Sequence, residues 1–422
     1  MAGLAILAVI YILAGLIGFP PLPEILQQPL LNILPGPVFG FLIDTLQHAG
    51  KVLEEFGIIV GLVVLAGAVG AVVARLRGAG AGAGADADPG RRDLMKVGVA
   101  GVSAAVLGVR LIPGWAQSVL HPAESGLGGI SPEITPAGHF YVVSKNFQDP
   151  VLAADGWHLQ VAGLVARPLT LDYQGLLRLP ATTELVTMEC ISNDVGGDLI
   201  STGRFTGVSL RDLVQMADPQ GGATAVNFSA NDGYTETLPL AVVTQSPEIL
   251  VAYMLDEAPL PTQHGFPARI LIPGRYGMKG PKWLERVELA ASPRGGYWED
   301  EGWDHDAVVK TTSRIDTPAG GALVHLQPVV VGGVAFAGKR GISSVEVSFD
   351  GGHTWRAADV QPPLSAFTWN LWRTTWHPTA EGGYTLVVRA RDGSGALQTP
   401  SGAGSFPSGA SGYHSVQVTA AH

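Results

Sequence analysis

The sequence predicts an α+β protein of three parts: N-terminal transmembrane helices, a mixed α/β domain and a C-terminal β-sandwich. Three long apolar runs lie within residues 1–127, whereas short apolar runs separated by turns occupy residues 128–312. In residues 313–422 the apolar side chains recur with a period of two, which is typical of strands with one buried face. These changes of pattern place the two domain boundaries.

The composition excludes several classes of function. The 422 residues carry a formal net charge of −10, which argues against a nucleic-acid partner because nucleic-acid-binding surfaces are basic. Hydrophobic residues make up 46% of the chain and charged residues 15%, a balance too apolar for an ordinary soluble protein. A single cysteine permits no internal disulfide and no cysteine-rich zinc or iron–sulfur site.

Residues 1–18, 57–74 and 97–115 are the predicted transmembrane helices, each close to the length that spans a bilayer. A Gly/Ala/Asp-rich stretch at residues 78–90 is predicted to be a flexible linker. Because basic residues between spans belong on the cytoplasmic side, we expect a multi-pass protein of the cell membrane with a cytoplasmic N-terminus. The domains after the third span then lie on the periplasmic or extracellular side. The basic residues that set this orientation are Arg75, Arg77, Arg91, Arg92 and Lys96.

The pair Arg91-Arg92, which precedes an apolar run, is similar to a twin-arginine export signal. The alternative is a cluster of positive charge that sets the orientation of the third span and nothing more. The export reading is favoured if the following domain binds its cofactor in the cytoplasm, because it must then cross the membrane folded.

Local patterns predict the elements of both domains. In the mixed domain, Ser209 is the predicted N-cap of a helix, and apolar alternation marks the strands. The predicted strands are residues 140–143, 157–163, 169–171 and 185–188, and the predicted helices are residues 173–179 and 210–216. In the C-terminal domain the predicted strands are residues 344–349, 384–390 and 416–418, with a hairpin turn at residues 350–352. Many short strands joined by glycine-rich turns are typical of a β-sandwich.

Cys190, the one cysteine of the chain, ends an apolar run and is followed at once by a polar, glycine-containing loop. A thiol at the end of a strand suits a soft or high-valent metal, which binds it as the thiolate. The alternative is a small buried core cysteine. A blue-copper site is excluded because residues 191–202 contain neither the histidine nor the methionine that it needs.

The segment from Met188 to Leu213 resembles the sulfite oxidase family of molybdopterin enzymes. The resemblance runs from about residue 130 to the C-terminus and recurs, in the family's order, at residues 140–146, 250–255, 263–269 and 275–284. It implies a sulfite-oxidase-type molybdopterin domain over residues 128–312 and an immunoglobulin-like β-sandwich over residues 313–422. Since this sandwich often mediates dimerisation in the family, a homodimer is expected. The alternative is a sandwich that only braces the catalytic domain.

The resemblance also implies the site residues. Cys190 would be the molybdenum ligand, and Tyr253 would be the active-site tyrosine whose hydroxyl lies near the reacting oxygen. The alternative for Tyr253 is a core aromatic residue. The residues implied to bind the molybdenum–molybdopterin cofactor, besides Cys190, are Phe140, Tyr141, Ser144, Lys145, Asn146, Ser192, Asn193, His264, Arg269, Lys279, Gly280 and Lys282.

The chemistry of these residue types suits a pterin that ends in a phosphate. Arg269 can donate two parallel hydrogen bonds to a phosphate, and His264 can donate to the pterin or its phosphate. Lys279 and Lys282 add positive charge, while Gly280 lets backbone N–H groups come close. The alternatives are solvated surface lysines and a structural histidine.

The chain departs from the family where sulfite would bind. Arginines that bind the oxyanion in sulfite oxidases are replaced by Val143 or Ser144 within residues 140–146 and by Asp194-Val195 after the Cys190 turn. The third arginine position falls in the C-terminal domain within Trp369-Asn370-Leu371-Trp372, which contains no arginine. Each charge-assisted hydrogen bond contributes about 1.5–3 kcal/mol. We therefore expect a substrate that is neutral, or charged differently from sulfite.

The function expected from the sequence is that of a membrane-anchored molybdenum oxidoreductase, which transfers an oxygen atom to or from a small-molecule substrate in a two-electron reaction. A separate electron carrier, a cytochrome or a quinone-linked protein, is expected because the sequence shows no haem or cluster site. One alternative is a sulfite oxidase with a rebuilt anion pocket that uses Arg204 or Arg275. Another is a membrane-tethered binding module of the same fold without catalytic activity.

Overall fold

The computed structural model describes residues 129–146 and 149–422. The predicted transmembrane helices, the linker at residues 78–90 and the Arg91-Arg92 pair lie outside the described residues. Within the described ranges, no helix is both long enough and apolar enough to cross a membrane.

The described part of the mixed domain contains two five-stranded sheets and four short α-helices. The strands are β1 (His158–Gly163), β2 (Leu169–Asp172), β3 (Thr182–Glu189), β4 (Ile200–Ser209), β5 (Ala225–Ala230), β6 (Thr235–Pro239), β7 (Leu250–Leu255), β8 (Ala258–Pro259), β9 (Arg269–Leu271) and β10 (Leu284–Ala290). The helices are α1 (Tyr173–Leu177), α2 (Leu210–Ala217), α3 (Leu240–Gln245) and α4 (Tyr297–Asp300).

The first sheet has the strand order β2–β1–β10–β5–β6; β1 and β10 are parallel and the other neighbours antiparallel. The second sheet has the order β3–β4–β7–β8, and β9 also pairs with β7. Helix α2 presents apolar residues at positions i, i+3, i+4 and i+7, so that Leu213 and Val214 are buried in the main core. Phe228 of β5 and Leu284 of β10 lie in the same core.

Most of the predicted elements of this domain are confirmed. Strands cover residues 157–163, 169–171 and 185–188 almost completely, and helices lie at the two predicted places.

Two local predictions are wrong. Residues 140–143 do not form a strand, because the backbone N–H of Tyr141 donates to the Ser201 side chain (3.0 Å) and not to a neighbouring strand. Ser209 occupies the N-cap position of α2, but its hydroxyl donates to the Pro247 carbonyl (2.9 Å) and makes no capping bond.

The described C-terminal domain consists of two sheets that share one apolar core. Its strands are β11 (Thr312–Thr317), β12 (Leu323–His325), β13 (Val329–Phe336), β14 (Ile342–Ser348), β15 (Arg356–Ala357), β16 (Asp359–Val360), β17 (Asn370–Trp376), β18 (Gly382–Asp392) and β19 (His414–Ala421). The sheet orders are β11–β13–β17–β16 and β12–β19–β18–β14–β15. Trp372 and Val347 lie in the core between them. The predicted β-sandwich, its strands and its hairpin turn at residues 350–352 are thus confirmed, whereas the immunoglobulin-like assignment stays a prediction.

Strands β3 and β4 form the hairpin that presents Cys190. Their antiparallel register runs from Thr182 opposite Gly207 to Glu189 opposite Ile200, so the chain between them is a ten-residue loop over residues 190–199. The Cys190 N–H donates to the Leu199 carbonyl (2.9 Å) and continues the hairpin pairing one step into this loop. We call residues 190–199 the cysteine loop.

The close approach of β4 to β7 depends on Gly207. A Cβ atom at Gly207 would lie 2.3 Å from the Val251 carbonyl oxygen, so Gly207→Ala should separate the two strands. We expect this variant to lower the free energy of unfolding by about 1–3 kcal/mol in a denaturant titration followed by tryptophan fluorescence. Gly221→Ala is the matched control, because no atom lies within 4 Å of a Cβ there. Equal stabilities of the two variants would contradict the described β4–β7 packing.

Candidate active site

The Cys190 thiol lies at the start of the cysteine loop and is buried. Its sulfur is 3.0 Å from the Ser192 hydroxyl, which can donate a hydrogen bond to the thiolate. Burial raises the pKa of the Cys190 thiol, and the nearby Glu189 carboxyl raises it further, while bonds from Ser192 oppose both effects. The free thiol therefore stays protonated at neutral pH, and a bound cation would be needed to ionise it.

Asn193 closes the cysteine loop from inside. Its side-chain N–H donates to Glu189 Oε1 (3.0 Å), and its side-chain oxygen accepts the N–H of Leu199 (2.9 Å). Both ends of the buried amide are thus used within the protein. The structure therefore assigns Asn193 to loop geometry, where the sequence predicted a cofactor contact.

The β-sandwich holds the far side of the cysteine loop. Arg314 of β11 donates to the Gly197 carbonyl (2.6 Å), and a Cβ atom at Gly196 would lie 2.2 Å from the His414 ring. His414 is fixed in turn, since its Nδ1 accepts the Ile315 N–H (3.0 Å). The loop that carries the predicted metal ligand is therefore shaped by both domains.

Three tyrosines have hydroxyls close enough to Cys190 for its charge to raise their pKa values: Tyr141, Tyr234 and Tyr276. In each case burial is the larger cause of the raised pKa. Tyr234 donates to the Met278 carbonyl (2.6 Å), and the Tyr276 oxygen accepts the N–H of Lys310 (3.2 Å). The sequence analysis named Tyr141 and missed the other two, although Tyr276 lies within the resemblance at residues 275–284.

Tyr253 lies elsewhere. It is buried in the main apolar core on β7, and its hydroxyl is close to that of Tyr173, whose pKa it raises together with burial. Strand β7 is buried on both faces, so its residues alternate between two apolar layers. Its position matches the alternative of a core aromatic residue, and the catalytic role of Tyr253 stays a prediction.

Arg269 and His264 are buried side by side. The Arg269 guanidinium donates long bonds (3.3–3.4 Å) to the carbonyls of Ile270, His264 and Gly280, none of which carries a compensating charge. Burial lowers the pKa of Arg269 to about 10, and burial with the charges of Arg269 and Lys282 lowers the pKa of His264 to about 3. The buried Nε2 of His264 has no hydrogen-bond partner among the described residues.

Further residues of the predicted site lie around Arg269 and His264. Lys282 donates to the Val143 and Gln263 carbonyls (3.1 and 2.9 Å). These bonds connect residues 140–146 with residues 263–269, two of the segments that carry the family resemblance. Phe140 packs edge-on against the His264 ring at 5.4 Å. Lys145 donates to the Asp232 carbonyl (2.9 Å) with its ammonium over the Tyr297 ring. Ser144 is half-buried and Asn146 is buried.

Lys279 and Gly280 lie in the turn beside the site. The fully buried Lys279 ammonium is bound by two buried carboxylates, those of Glu236 (2.5 Å) and Glu299, so it already has its counter-charge. The Gly280 N–H donates to the Gly277 carbonyl (3.1 Å), and a Cβ atom at Gly280 would lie 2.5 Å from the Ile270 oxygen. Contact of either residue with the cofactor stays a prediction.

Comparisons with known proteins agree with this geometry. The family model "Oxidoreductase molybdopterin binding domain" matches residues 146–298, and "Mo-co oxidoreductase dimerisation domain" matches residues 305–419. The chain is therefore an oxidoreductase that uses a molybdenum–molybdopterin cofactor. Its two matched domains are those of molybdopterin oxidoreductases, and its sequence is similar to those of sulfite oxidase and nitrate reductase.

Individual relatives cover the same part of the chain. Mitochondrial sulfite oxidase of Rattus norvegicus is 28% identical over 312 residues, which are 63% of this chain and 57% of the relative. Sulfite oxidase of Gallus gallus is 29% identical, over 64% of this chain and 68% of the relative. Nitrate reductase [NAD(P)H] of Hordeum vulgare is 27% identical, over 49% of this chain and 29% of the relative. The chain thus spans little more than half of the rat enzyme.

A solved structure shows the same fold. The sulfane dehydrogenase SoxCD of Paracoccus pantotrophus aligns with a TM-score of 0.56 at 22% sequence identity, over 64% of this chain and 76% of that chain. This likeness concerns the fold and carries no statement about substrate.

The described residues fit the cofactor. A buried guanidinium without a counter-charge and a buried, unpartnered imidazole nitrogen are groups that an anionic, hydrogen-bonding ligand would satisfy. Arg269, His264 and Lys282 would hold the pterin and its phosphate, and Cys190 would bind the metal. When bound, the cofactor supplies two-electron redox chemistry.

Two buried cations of the site should respond differently to removal of their charge. Arg269→Met should leave a folded apoprotein that retains little cofactor, because the variant loses the buried guanidinium that would hold the phosphate. Lys279→Met should lower the free energy of unfolding by about 3–5 kcal/mol, because it leaves two buried carboxylates unpaired.

The measurements are denaturant unfolding of both apoproteins and pterin analysis of both proteins made with cofactor. Retention of wild-type pterin by Arg269→Met, or an apoprotein of Lys279→Met as stable as the wild type, would contradict these assignments.

Proposed function

We propose that this chain catalyses two-electron oxygen-atom transfer on a small substrate that lacks the negative charge of sulfite, on the outer face of the cell membrane to which its N-terminal region anchors it. The observation that carries the proposal is the pocket beside the cysteine loop. Five of its lining residues are Glu189, Asp194, Val195, Tyr276 and Lys310. Residues with two carboxyl groups and one ammonium group thus line a space where the resemblance to the sulfite oxidase family implies arginines.

The acidic character of this pocket disfavours a dianion. Glu189 is buried, with Oε1 bound by Asn193 and Oε2 without a partner among the described residues. Asp194 and Val195 stand where the sequence resemblance places an arginine. A doubly charged oxyanion would meet like charge from Asp194, with Lys310 as the opposing charge in the lining. Burial raises the pKa of Glu189 to about 7, so Glu189 adds negative charge to the pocket above that pH.

The candidate replacement arginines have other partners. Arg204 pairs with Glu257 (2.8 Å), and Arg275 pairs with Asp306 at the surface. Arg314 lies near the pocket, but its N–H groups donate to Gly197, Ser131 and Asp316. These contacts support a pocket that has lost its anion-binding arginines.

The chain's own residues would orient the substrate and manage protons. Burial and the neighbouring carboxyl groups keep Tyr141 and Tyr276 protonated, so each hydroxyl can donate a hydrogen bond close to Cys190. Tyr276 lines the pocket, and its oxygen is positioned by the Lys310 N–H. The sandwich completes the pocket through Gln398 and residues 410–412 and thereby limits access of water.

The partners follow from the family. The matched dimerisation domain supports a homodimer. A separate electron carrier, a cytochrome or a quinone-linked protein, would take or supply the electrons. The apolar runs at residues 1–18, 57–74 and 97–115 and the charges between them support the membrane anchor and its orientation.

A second candidate function is sulfite oxidation, which is favoured by the sequence similarity to the sulfite oxidases of rat and chicken. It would require anion binding by Lys310 and the surroundings of the cysteine loop without the family's arginines. A binding module without cofactor chemistry is disfavoured, because the chain retains Cys190, Arg269 and Lys282 together.

Restoring one arginine should separate these two functions. In the loaded enzyme, Val195→Arg should lower the KM for sulfite about 10- to 100-fold, because one charge-assisted hydrogen bond contributes about 1.5–3 kcal/mol. Val195→Leu is the control for side-chain size. Turnover is measured with sulfite and with a panel of neutral sulfur and nitrogen oxides and their reduced forms. Fast sulfite oxidation by the wild type, left unimproved by Val195→Arg, would contradict the proposed substrate class.

A further inference from the structure

The buried cluster of Glu236, Lys279, Glu299 and His305 lies behind the site and is not needed to bind the cofactor. The side chains of Glu236 and Glu299 are 0% and 2% exposed, and that of Lys279 is 2% exposed. Burial of each charge costs several kcal/mol. Two carboxylates on one interior lysine are therefore not explained as an ordinary solvated ion pair.

One group of the cluster reaches the surface. Lys279 contacts both carboxylates, and the Oε2 atom of Glu299 lies 3.1 Å from Nδ1 of His305. The His305 side chain is 81% exposed. A series of ionisable groups therefore leads from solvent, through Glu299 and Lys279, to the fully buried Glu236.

The inner end of the series lies beside the site. Tyr234 precedes Glu236 by two residues, and its hydroxyl donates to the carbonyl of Met278, next to Lys279 in the chain. Gly277, which precedes Met278, lies against the cysteine loop, because a Cβ atom there would be 2.7 Å from the Tyr141 hydroxyl oxygen and 3.6 Å from the carbonyl oxygen of Glu189, the residue before Cys190. Glu236 Oε2 is buried and has no partner among the described residues, which leaves one oxygen able to hold a proton.

We propose that Glu236, Glu299 and His305 form a proton-transfer route between the cofactor site and solvent. The inference rests on the proposed function. Oxidation of a substrate S with water as the oxygen source gives SO, two protons and two electrons, and the reverse reaction consumes the same protons. The electrons pass to or from the external carrier, and the route moves the protons, one at a time, between the Tyr234 hydroxyl and His305.

The protonation states suit this role. Burial raises the pKa of Glu236 to about 8, although Lys279 opposes the shift. Burial alone would raise the pKa of Glu299 as well, but its bond to Lys279 and the charge of that lysine lower it. The charged and titratable groups that face Glu236 are Lys279, Glu299 and Tyr234. At neutral pH Glu236 thus holds a proton while Glu299 is ionised, so a proton donor and an acceptor stand on the same lysine.

A titration of the apoprotein tests the cluster without any turnover. The carboxyl signal of Glu236, identified by comparison with Glu236→Gln in an infrared or ¹³C-carboxyl NMR titration, should stay protonated at pH 6 and ionise near pH 8. Glu346→Gln, which removes a carboxyl paired with Arg389 on the sandwich, is the control and should leave that signal unchanged. A Glu236 carboxyl that is ionised at pH 6 would overturn the proposal.

Turnover of the loaded enzyme separates proton transfer from a purely structural role. Glu236→Gln keeps the shape and one oxygen acceptor but has no group that gains or loses a proton near neutral pH, so kcat should fall at least tenfold at unchanged molybdenum content. Glu236→Asp should retain more activity than Glu236→Gln. If the cluster only braces the turn, the better isostere, Gln, should be tolerated at least as well as Asp, and that result would overturn the route.

The exposed end offers a variant that should fold in any case. His305→Ala should lower kcat, and added imidazole should restore it, because a mobile base replaces the missing side chain. His353→Ala, at an exposed histidine of the sandwich, should show neither effect. Unchanged turnover of His305→Ala in the loaded enzyme would overturn the route. A preparation without molybdenum would instead count against the proposed function, and the titration of the apoprotein would then test the cluster.

Discussion

The arrangement of the site depends on how the chain turns between β3 and β4. Asn193 holds this turn by accepting from Leu199 and donating to Glu189, so the two strand ends are joined through one buried amide. Loss of the bond to Glu189 would be costly, because both of its side chains are buried. The two hydrogen bonds thereby hold Glu189 and Cys190 at the start of the turn, where Glu189 lines the pocket.

Two buried cations show how the same charge serves different purposes. Arg269 is surrounded by neutral carbonyls, and such a guanidinium favours an incoming anion. Lys279 already has two carboxylates, and the excess negative charge is absorbed by a proton on Glu236. The first arrangement prepares a ligand site, and the second prepares a place for an exchangeable proton. Only the partners distinguish them, since both cations are equally hidden from solvent.

Local sequence predicted the site best where the chemistry depends on neighbours in the chain. The end of β3 at Cys190 follows from an apolar run meeting a polar loop, and Arg269 with His264 follows from a short motif. The partners of Lys279 lie 43 and 20 residues away, so no local pattern could reveal its ion pairs. Residues 140–143 have the alternation of a strand, but alternation cannot show that the adjacent backbone donor will meet a serine side chain.

Tyr253 and Tyr276 illustrate the remaining difficulty. Both are buried aromatic residues within stretches that carry the family resemblance, and the sequence does not show which strand face or turn meets the metal ligand. In the structure β7, which carries Tyr253, is buried on both faces, whereas the turn after Ile272, which carries Tyr276, lies against the cysteine loop. The contribution of the sandwich, through Arg314 and His414, was equally invisible because it comes from more than a hundred residues further along the chain.

The central claim is that Cys190 binds molybdenum carried by a pterin. The most direct measurement is the molybdenum and pterin content of the purified protein beside that of Cys190→Ser, both made in cells with a working cofactor pathway and export route. The account predicts near-stoichiometric molybdenum with releasable pterin in the wild type and loss of molybdenum in the variant. A wild-type protein without molybdenum, or a Cys190→Ser variant with a full complement of it, would contradict the account.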